Sequence, residues 1–170
     1  METILLNSIK HLIFTCLALL AFNTPASQDI KCLTDTAYME ARGQGSRAMA
    51  LVQDVVLNRV DDSRWPSSVC AVVYQRKQFS WSSKPVPMAQ MPDDIQARLE
   101  GRVKAVEAVQ GVRLPTTSAN HFLSPKALAG GRFPKWASCS QGVECVEYNN
   151  RKVRKPLFLH NGFWFSNFKL

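Results

Sequence analysis

One acidic side chain, Glu40, lies in the segment AYMEARGQG, among apolar residues and ahead of an arginine and two glycines. Gly43 predicts the end of a helix, because glycine readily takes the left-handed conformation that closes helices. Glu40 would then lie in the last turn, where the negative end of the helix dipole disfavours an ionised carboxylate. Burial beside Tyr38 and Met39 would raise its pKa further, whereas Arg42 would lower it.

A carboxyl group that is still protonated near neutral pH can donate a proton to a departing glycosidic oxygen. This is the chemistry that Glu40 would perform. From these residues alone, however, an exposed helix charge is the more common explanation of an acid followed by arginine and glycine. The segment by itself therefore leaves both interpretations open.

A second group of side chains has the chemistry of sugar binding. Its members are Gln78, Phe79, Ser80, Trp81, His121 and Trp136. Flat aromatic rings suit the faces of sugars, and amide or hydroxyl groups suit sugar hydroxyls and N-acetyl groups. We expect this group to line a glycan groove. The alternative is structural, with Phe79 as an apolar plug beneath a loop and His121 as a hydrogen-bonded packing residue.

Four cysteines follow the N-terminal segment, and an even number in an exported chain favours disulfides. Cys139 and Cys145 enclose the polar segment SQGVE, so we expect them to pair with each other. Cys32 would then pair with Cys70. A zinc site is the alternative, but the C-x5-C spacing without a nearby histidine fits it poorly. We expect neither a metal nor another cofactor.

Residues 1–26 have the features of a signal peptide. A short basic region precedes the apolar run LIFTCLALLAF at residues 12–22, and small residues follow. The run is short for a membrane span, so we expect cleavage after Ala26, with a retained, transient membrane anchor as the alternative. Either outcome places one domain, residues 27–170, outside the cytoplasm, in the periplasm or the cell wall. A net charge of +8 suits anionic wall polymers, and we expect no nucleic-acid partner for an exported chain.

The elements around these residues are helical in the first two thirds of the chain. We expect helices at 32–43, with Thr34 or Asp35 as its N-cap, and at 46–60. Segment 69–75 is either a short strand or one or two helical turns. Residues 76–94 read as an exposed loop around a small aromatic core.

The clearest helical pattern lies at 93–111. Its apolar stripe, Ile95, Leu99, Val103 and Val106, is expected to pack into the core. Proline, glycine and aromatic residues dominate after residue 111 and predict short strands and loops. The sequence thus predicts an α+β domain, with helices first and an irregular β-rich part last.

Four blocks of the chain, CLTDTAYMEARGQG, ALVQDVVLNRV, RWPSSVCAVVYQRKQFSW and ANHFLSP, together resemble cell-wall hydrolases of the spore cortex-lytic (SleB-like) type. Their order and spacing agree from about Cys32 to Trp81. The C-terminal segment FLHNGFWF has the residue types of the family's last block in a different order. The resemblance implies a lysozyme-like α+β fold and a peptidoglycan hydrolase, with Glu40 as the catalytic acid.

The resemblance also implies lytic transglycosylation between N-acetylmuramic acid and N-acetylglucosamine, by a monomer whose partner is the glycan strand. That reaction needs one acid, whereas hydrolysis needs a second carboxylate. The candidates for the second carboxylate are Asp54, Asp61, Asp62, Asp93 and Asp94. The alternatives are a hydrolytic muramidase or glucosaminidase, a phage endolysin of the same fold, a zinc amidase, and a non-catalytic peptidoglycan-binding module.

Overall fold

The computed structural model of the chain describes residues 24–113, 117–124, 133–148 and 150–167. In these residues, four α-helices come first: α1 (Pro25–Ala41), α2 (Ser46–Val60), α3 (Val69–Val73) and α4 (Pro92–Val109). The later part holds β1 (His121–Leu123), a 3-10 helix (Lys135–Ala137), β2 (Cys145–Tyr148), β3 (Arg151–Arg154), β4 (Phe158–His160) and β5 (Phe163–Ser166). The predicted α+β division is confirmed. The implied likeness to lysozyme stays a prediction.

Helix α1 begins earlier than its sequence pattern indicated. The N-cap is Thr24, whose hydroxyl accepts a hydrogen bond from the Ser27 amide at 3.2 Å, and proline occupies the first helical position. The prediction that Thr34 or Asp35 caps the helix was therefore wrong. The expected cleavage site after Ala26 falls in the first turn, and the apolar run at 12–22 lies outside the described residues. Within the described ranges, no helix is long and apolar enough to cross a membrane.

Helices α1, α2 and α4 pack closely because small residues lie between them. A Cβ atom on Gly101 of α4 would come within 3.5 Å of the Ala37 Cβ of α1. The amide of Gln53 in α2 is buried there and donates to the carbonyl oxygens of Gly101, at 2.8 Å, and Leu33, at 3.3 Å. One glutamine side chain therefore links all three helices.

This close packing reverses the expected orientation of α4. The face that contacts α1 carries Gly101 and Ala105, both buried. Ile95, Leu99 and Val103 lie on the other side and are 46%, 54% and 55% exposed. The prediction that they pack into the core was wrong, since the helices approach too closely for large side chains at the contact.

An antiparallel sheet with the order β1-β5-β4 covers part of α2. His121 of β1 pairs with Ser166 of β5, and β4 joins β5 through a two-residue turn. Phe163 and Phe165 of β5 pack with apolar residues of α2, including Leu51 and Val55. Strands β2 and β3 form a separate antiparallel hairpin. The sheet thus fixes the start of β1 near the C-terminal half of α2.

Both predicted disulfides are confirmed. Cys32 is bonded to Cys70, with 5.4 Å between the Cα atoms, which ties α1 to α3. Cys139 is bonded to Cys145 and closes the loop before β2. Segment 69–75, whose pattern allowed a strand or helical turns, begins with the helix α3. The Cys32–Cys70 disulfide thus joins the helix that carries Glu40 to the helix that precedes the loop with Trp81.

Candidate active site

Glu40 lies in the last turn of α1, as its spacing from Gly43 indicated. The helix ends at Ala41, and Gly43 and Gly45 have φ angles of +81° and +83° that only glycine adopts readily. These glycines turn the chain directly into α2. Glu40 is thereby placed at the junction of two helices, with its side chain half-buried.

The Glu40 carboxylate accepts a hydrogen bond from the indole Nε1 of Trp81, at 2.8 Å. Burial raises the pKa of the Glu40 carboxyl above its ordinary value, and this effect is larger than the two that oppose it. The opposing effects are the Trp81 hydrogen bond and the positive charge of Arg59. The expected rise in pKa is confirmed, and burial is its largest cause.

Arg42 is not the residue whose charge opposes the rise in the pKa of Glu40. Its side chain is exposed, and its guanidinium lies over the Tyr38 ring at 5.0 Å from the ring centre. The counter-charge comes from Arg59 near the end of α2, which is 5% exposed. Sequence proximity pointed to the wrong arginine, because the helix end directs Arg42 toward solvent.

Arg59 is the buried cation of the site. Its Nε donates to the Asn120 carbonyl oxygen at 2.7 Å, and its Nη1 donates to Gln78 Oε1 at 3.2 Å. Burial lowers the pKa of Arg59 to about 10, and the charge of Glu40 acts in the opposite direction. Arg59 is still a cation at neutral pH, and it links α2 to both the loop after α3 and the start of β1.

The loop QFSW brings three of its four residues to this site. Phe79 and Trp81 are 6% and 7% exposed and stack with ring centres 5.8 Å apart. Gln78 is half-buried against Arg59, whereas the Ser80 side chain is exposed on the outer side of the loop. Phe79 is a packing residue, which was the structural alternative, and Trp81 contacts the acid directly.

His121 and Trp136 lie together in a second aromatic group with Trp65. The ring centres of His121 and Trp136 are 4.8 Å apart, and those of His121 and Trp65 are 5.8 Å apart. All three are partly exposed. Burial, and then the charges of Arg59, Arg64 and Arg154, lower the pKa of His121 to about 4. The imidazole is therefore neutral at neutral pH.

The tautomer of His121 follows from its neighbours. Its Nδ1 lies 2.7 Å from Asn120 Oδ1, while Asn120 Nδ2 donates to Asn167 Oδ1 at 3.1 Å. The asparagine oxygen is thus the acceptor, and Nδ1 carries the imidazole proton. This bond fixes the ring orientation of His121 beside Trp136.

Arg59 connects the two aromatic groups. Its guanidinium carbon is 5.8 Å from the ring centre of Trp65 and 5.8 Å from that of Phe79. Arg59 therefore lies, buried, between the rings packed beside the acid and the partly exposed group of Trp65, His121 and Trp136. Sequence reasoning assigned neither Trp65 nor Arg59 to the site. One feature of the sequence could have indicated a role for Trp65. It is a large aromatic residue in a polar loop, where a core residue is not expected.

Three of the five candidates for a second carboxylate form ion pairs with arginines. Asp54 is 3% exposed and accepts from Arg113 Nε at 2.7 Å, and Asp61 lies 3.2 Å from Arg113 Nη1. Asp62 pairs with Arg64 at 2.6 Å. The remaining two candidates, Asp93 and Asp94, lie in the first turn of α4. In the described ranges, no group of three or more His, Cys, Asp or Glu side chains has the arrangement of a metal site.

The chain matches the model of a known protein family. The model of the cell wall hydrolase family matches residues 43–152, which is more than half of the chain. The match includes Arg59, Trp81, His121 and Trp136 and begins three residues after Glu40. No curated protein and no solved structure matches the chain. The family and the two disulfides indicate a peptidoglycan-acting enzyme of the cell wall or the extracellular space. The chain belongs to the cell wall hydrolase family.

Proposed function

We propose that the protein is a lytic transglycosylase, which cleaves peptidoglycan between N-acetylmuramic acid and N-acetylglucosamine with Glu40 as its acid and base. The observation that carries this proposal is the environment of the Glu40 carboxyl. It is half-buried at a helix end, it accepts a bond from Trp81, and burial raises its pKa. A carboxyl group in this state suits proton donation to a glycosidic oxygen.

The reaction proceeds in two steps that both use Glu40. In the first step, the carboxyl proton passes to the glycosidic oxygen, and the bond from that oxygen to the muramic C1 breaks with its electron pair on the oxygen. In the second step, the muramic C6 hydroxyl attacks C1 and gives its proton to the Glu40 carboxylate. The product is a 1,6-anhydro ring, the enzyme is restored, and no water is consumed.

Two neighbours of Glu40 stabilise the state between the two steps. Between the steps Glu40 is an anion, and the Trp81 N–H and the charge of Arg59 both favour the anionic form. Burial favours the protonated form that begins the cycle. These opposed influences suit one residue that has to donate a proton and then take one back.

The partly exposed group of Trp65, His121 and Trp136 supplies one wall of the proposed glycan groove. The rings of Trp65 and Trp136 would lie against sugar faces, and the neutral His121 and the Gln78 amide would bond sugar hydroxyls and N-acetyl groups. Ser80 extends this set at the loop surface. Phe79 holds Trp81 in place from beneath and does not contact the sugar.

Hydrolysis is the competing reaction, and it requires a second carboxylate that activates water. Asp54 and Asp61 share Arg113, and Asp62 is bound to Arg64. A hydrolytic mechanism would have to release one of these three from its arginine or use Asp93 or Asp94, which lie in the first turn of α4. This engagement supports the one-acid reaction over the two-acid reaction.

Mass spectrometry of the soluble products from purified sacculi tests the proposal. The full chain is compared with Glu40→Gln and with Glu147→Gln, the same substitution at an exposed position of β2. Anhydromuropeptides from the wild type and from Glu147→Gln, but not from Glu40→Gln, would support the proposal. Reducing muropeptides would indicate hydrolysis instead. Binding to sacculi without any release from the wild type would indicate a non-catalytic wall-binding module.

A further inference from the structure

A second cleft lies beside the candidate active site and takes no part in the proposed reaction. It has a volume of about 740 Å³ and lies between α1, α4 and the loop that follows Trp81. Its apolar lining comes from Tyr74, Val86, Met88, Ala89, Ile95 and Leu99. Several of these side chains are unusually exposed, including Met88 at 83% and Leu99 at 54%. The exposed stripe of α4 is thus one wall of this cleft.

The rim of the cleft is cationic. Lys31, Lys84, Arg98 and Arg102 line it, with Asp35 as the one acidic residue among the lining side chains. Asp35 is 2% exposed and is already bound by Lys31 at 2.7 Å and Arg98 at 2.9 Å. Within the described part of the chain, Lys84 and Arg102 form no ion pair. Two exposed cations therefore remain for an anionic ligand.

The cleft lies next to the residue that bonds Glu40. The Lys84 amide donates to the Trp81 carbonyl oxygen at 2.8 Å, so the loop leads directly from the acid's partner into the cleft. The Tyr74 ring, which lines the cleft, meets the Trp81 ring edge-on at 6.3 Å. The cleft is therefore a candidate site for a short branch of a polymer that is bound at Glu40.

We propose that this cleft binds the peptide stem of peptidoglycan, an inference that rests on the proposed function. The stem branches from muramic acid and carries free carboxylates and alanine methyl groups. Its carboxylates complement Lys84 and Arg102, and its methyl groups suit the apolar wall formed by Ile95 and Leu99. The enzyme thereby recognises glycan strands that carry stems in preference to bare strands.

The first test measures binding of the free tetrapeptide stem, released from sacculi by an amidase, to the full chain by calorimetry. This measurement needs no catalytic activity. We expect Lys84→Gln with Arg102→Gln to weaken binding about three- to tenfold, the size expected for two exposed ion pairs. The control is Lys152→Gln with Lys155→Gln, which removes the same charge from the β2–β3 hairpin and should change binding little. Equal weakening by both pairs, or no binding by the wild type, would overturn the proposal.

The second test compares cleavage of stem-bearing glycan with cleavage of glycan stripped by an amidase. We expect the wild type to prefer the stem-bearing strand by about three- to tenfold, and the Lys84→Gln, Arg102→Gln pair to lose that preference. Equal cleavage of both strands by the wild type would overturn the stem site and leave the proposed glycan cleavage intact. If no strand is cleaved, the proposed function fails, and the calorimetric result still decides whether the cleft binds the stem.

Discussion

Replacing Trp81 with phenylalanine removes one polar atom from the environment of Glu40 and keeps an aromatic ring over it. In the wild type, the indole Nε1 donates to Glu40 Oε1 at 2.8 Å in a partly buried setting. A hydrogen bond to a charged group contributes about 1.5–3 kcal/mol. Its loss disfavours the ionised form, so the ratio of protonated to ionised Glu40 at a fixed pH rises about tenfold or more.

The sign of the expected effect follows from the role of the acid. With Glu40 as the proposed acid, activity is expected to fall at alkaline pH as Glu40 loses its proton, and the Trp81 bond favours that loss. In Trp81→Phe the pKa of Glu40 rises further, so the alkaline limb of the kcat/KM profile moves to higher pH. The maximal rate should fall as well, because the Glu40 anion between the two steps is less stabilised.

The assay is the release of soluble muropeptides across pH 4 to 9, together with urea unfolding to confirm that each variant is folded. Trp164→Phe is the matched control, since Trp164 is 5% exposed and Trp81 is 7% exposed. Trp164 packs against Phe133 and Tyr148 in the C-terminal part and does not contact Glu40. An unmoved or lowered alkaline limb in folded Trp81→Phe would refute Glu40 as the group whose deprotonation ends activity.

Three further outcomes are expected. Glu40→Gln should unfold at a higher temperature than the wild type at pH 7 but not at pH 4. The pKa of Glu40 is higher in the folded state than its value of 4.5 in the unfolded chain, so the glutamate lowers the stability of the wild type as the pH rises above 4.5. Equal differences in unfolding temperature at both pH values would contradict this. The wild type should lose stability relative to His121→Gln as the pH falls from 6.5 to about 4, since the folded state resists protonating that ring; urea unfolding at pH 7, 5.5 and 4 measures it. Replacing Cys32 and Cys70 with serine should lower the free energy of unfolding by about 4 kcal/mol, the chain-entropy value for a separation of 38 residues, and a change below 1 kcal/mol in urea titrations would show that the link is dispensable.

Features set by local chemistry were predictable from the sequence. The place of Glu40 in a last helical turn follows from one glycine three residues later, and that glycine has the expected positive φ. The pairing of Cys139 with Cys145 follows from their short separation. Helix α2 was predicted with its observed bounds, because its apolar residues recur at helical spacing between a glycine and a polar loop.

Features that depend on contacts between distant segments were not predictable. Apolar spacing shows that a helix has an apolar face, but it does not show whether that face meets a partner. In α4 the contact with α1 uses Gly101 and Ala105, and the larger stripe was wrongly assigned to the core. The sequence also indicated Arg42, and not Arg59, as the positive charge beside Glu40, because it does not show which distant segments meet. Residue 59 reaches the acid only because α2 folds back along α1.

The surroundings of Glu40 combine influences that a single-function acid would not need. A group that only donates a proton is best served by burial alone, and a group that only accepts one is best served by cations and donors alone. Here burial raises the pKa, while the Trp81 N–H and the Arg59 charge partly offset the rise. Arg59 is itself held by Asn120 and Gln78, so its distance from the acid is fixed by two other segments. This balance suits a residue that alternates between acid and base within one turnover. Arg59 keeps its charge at neutral pH in this buried position, where its attraction for the Glu40 anion is screened less than that of an exposed cation.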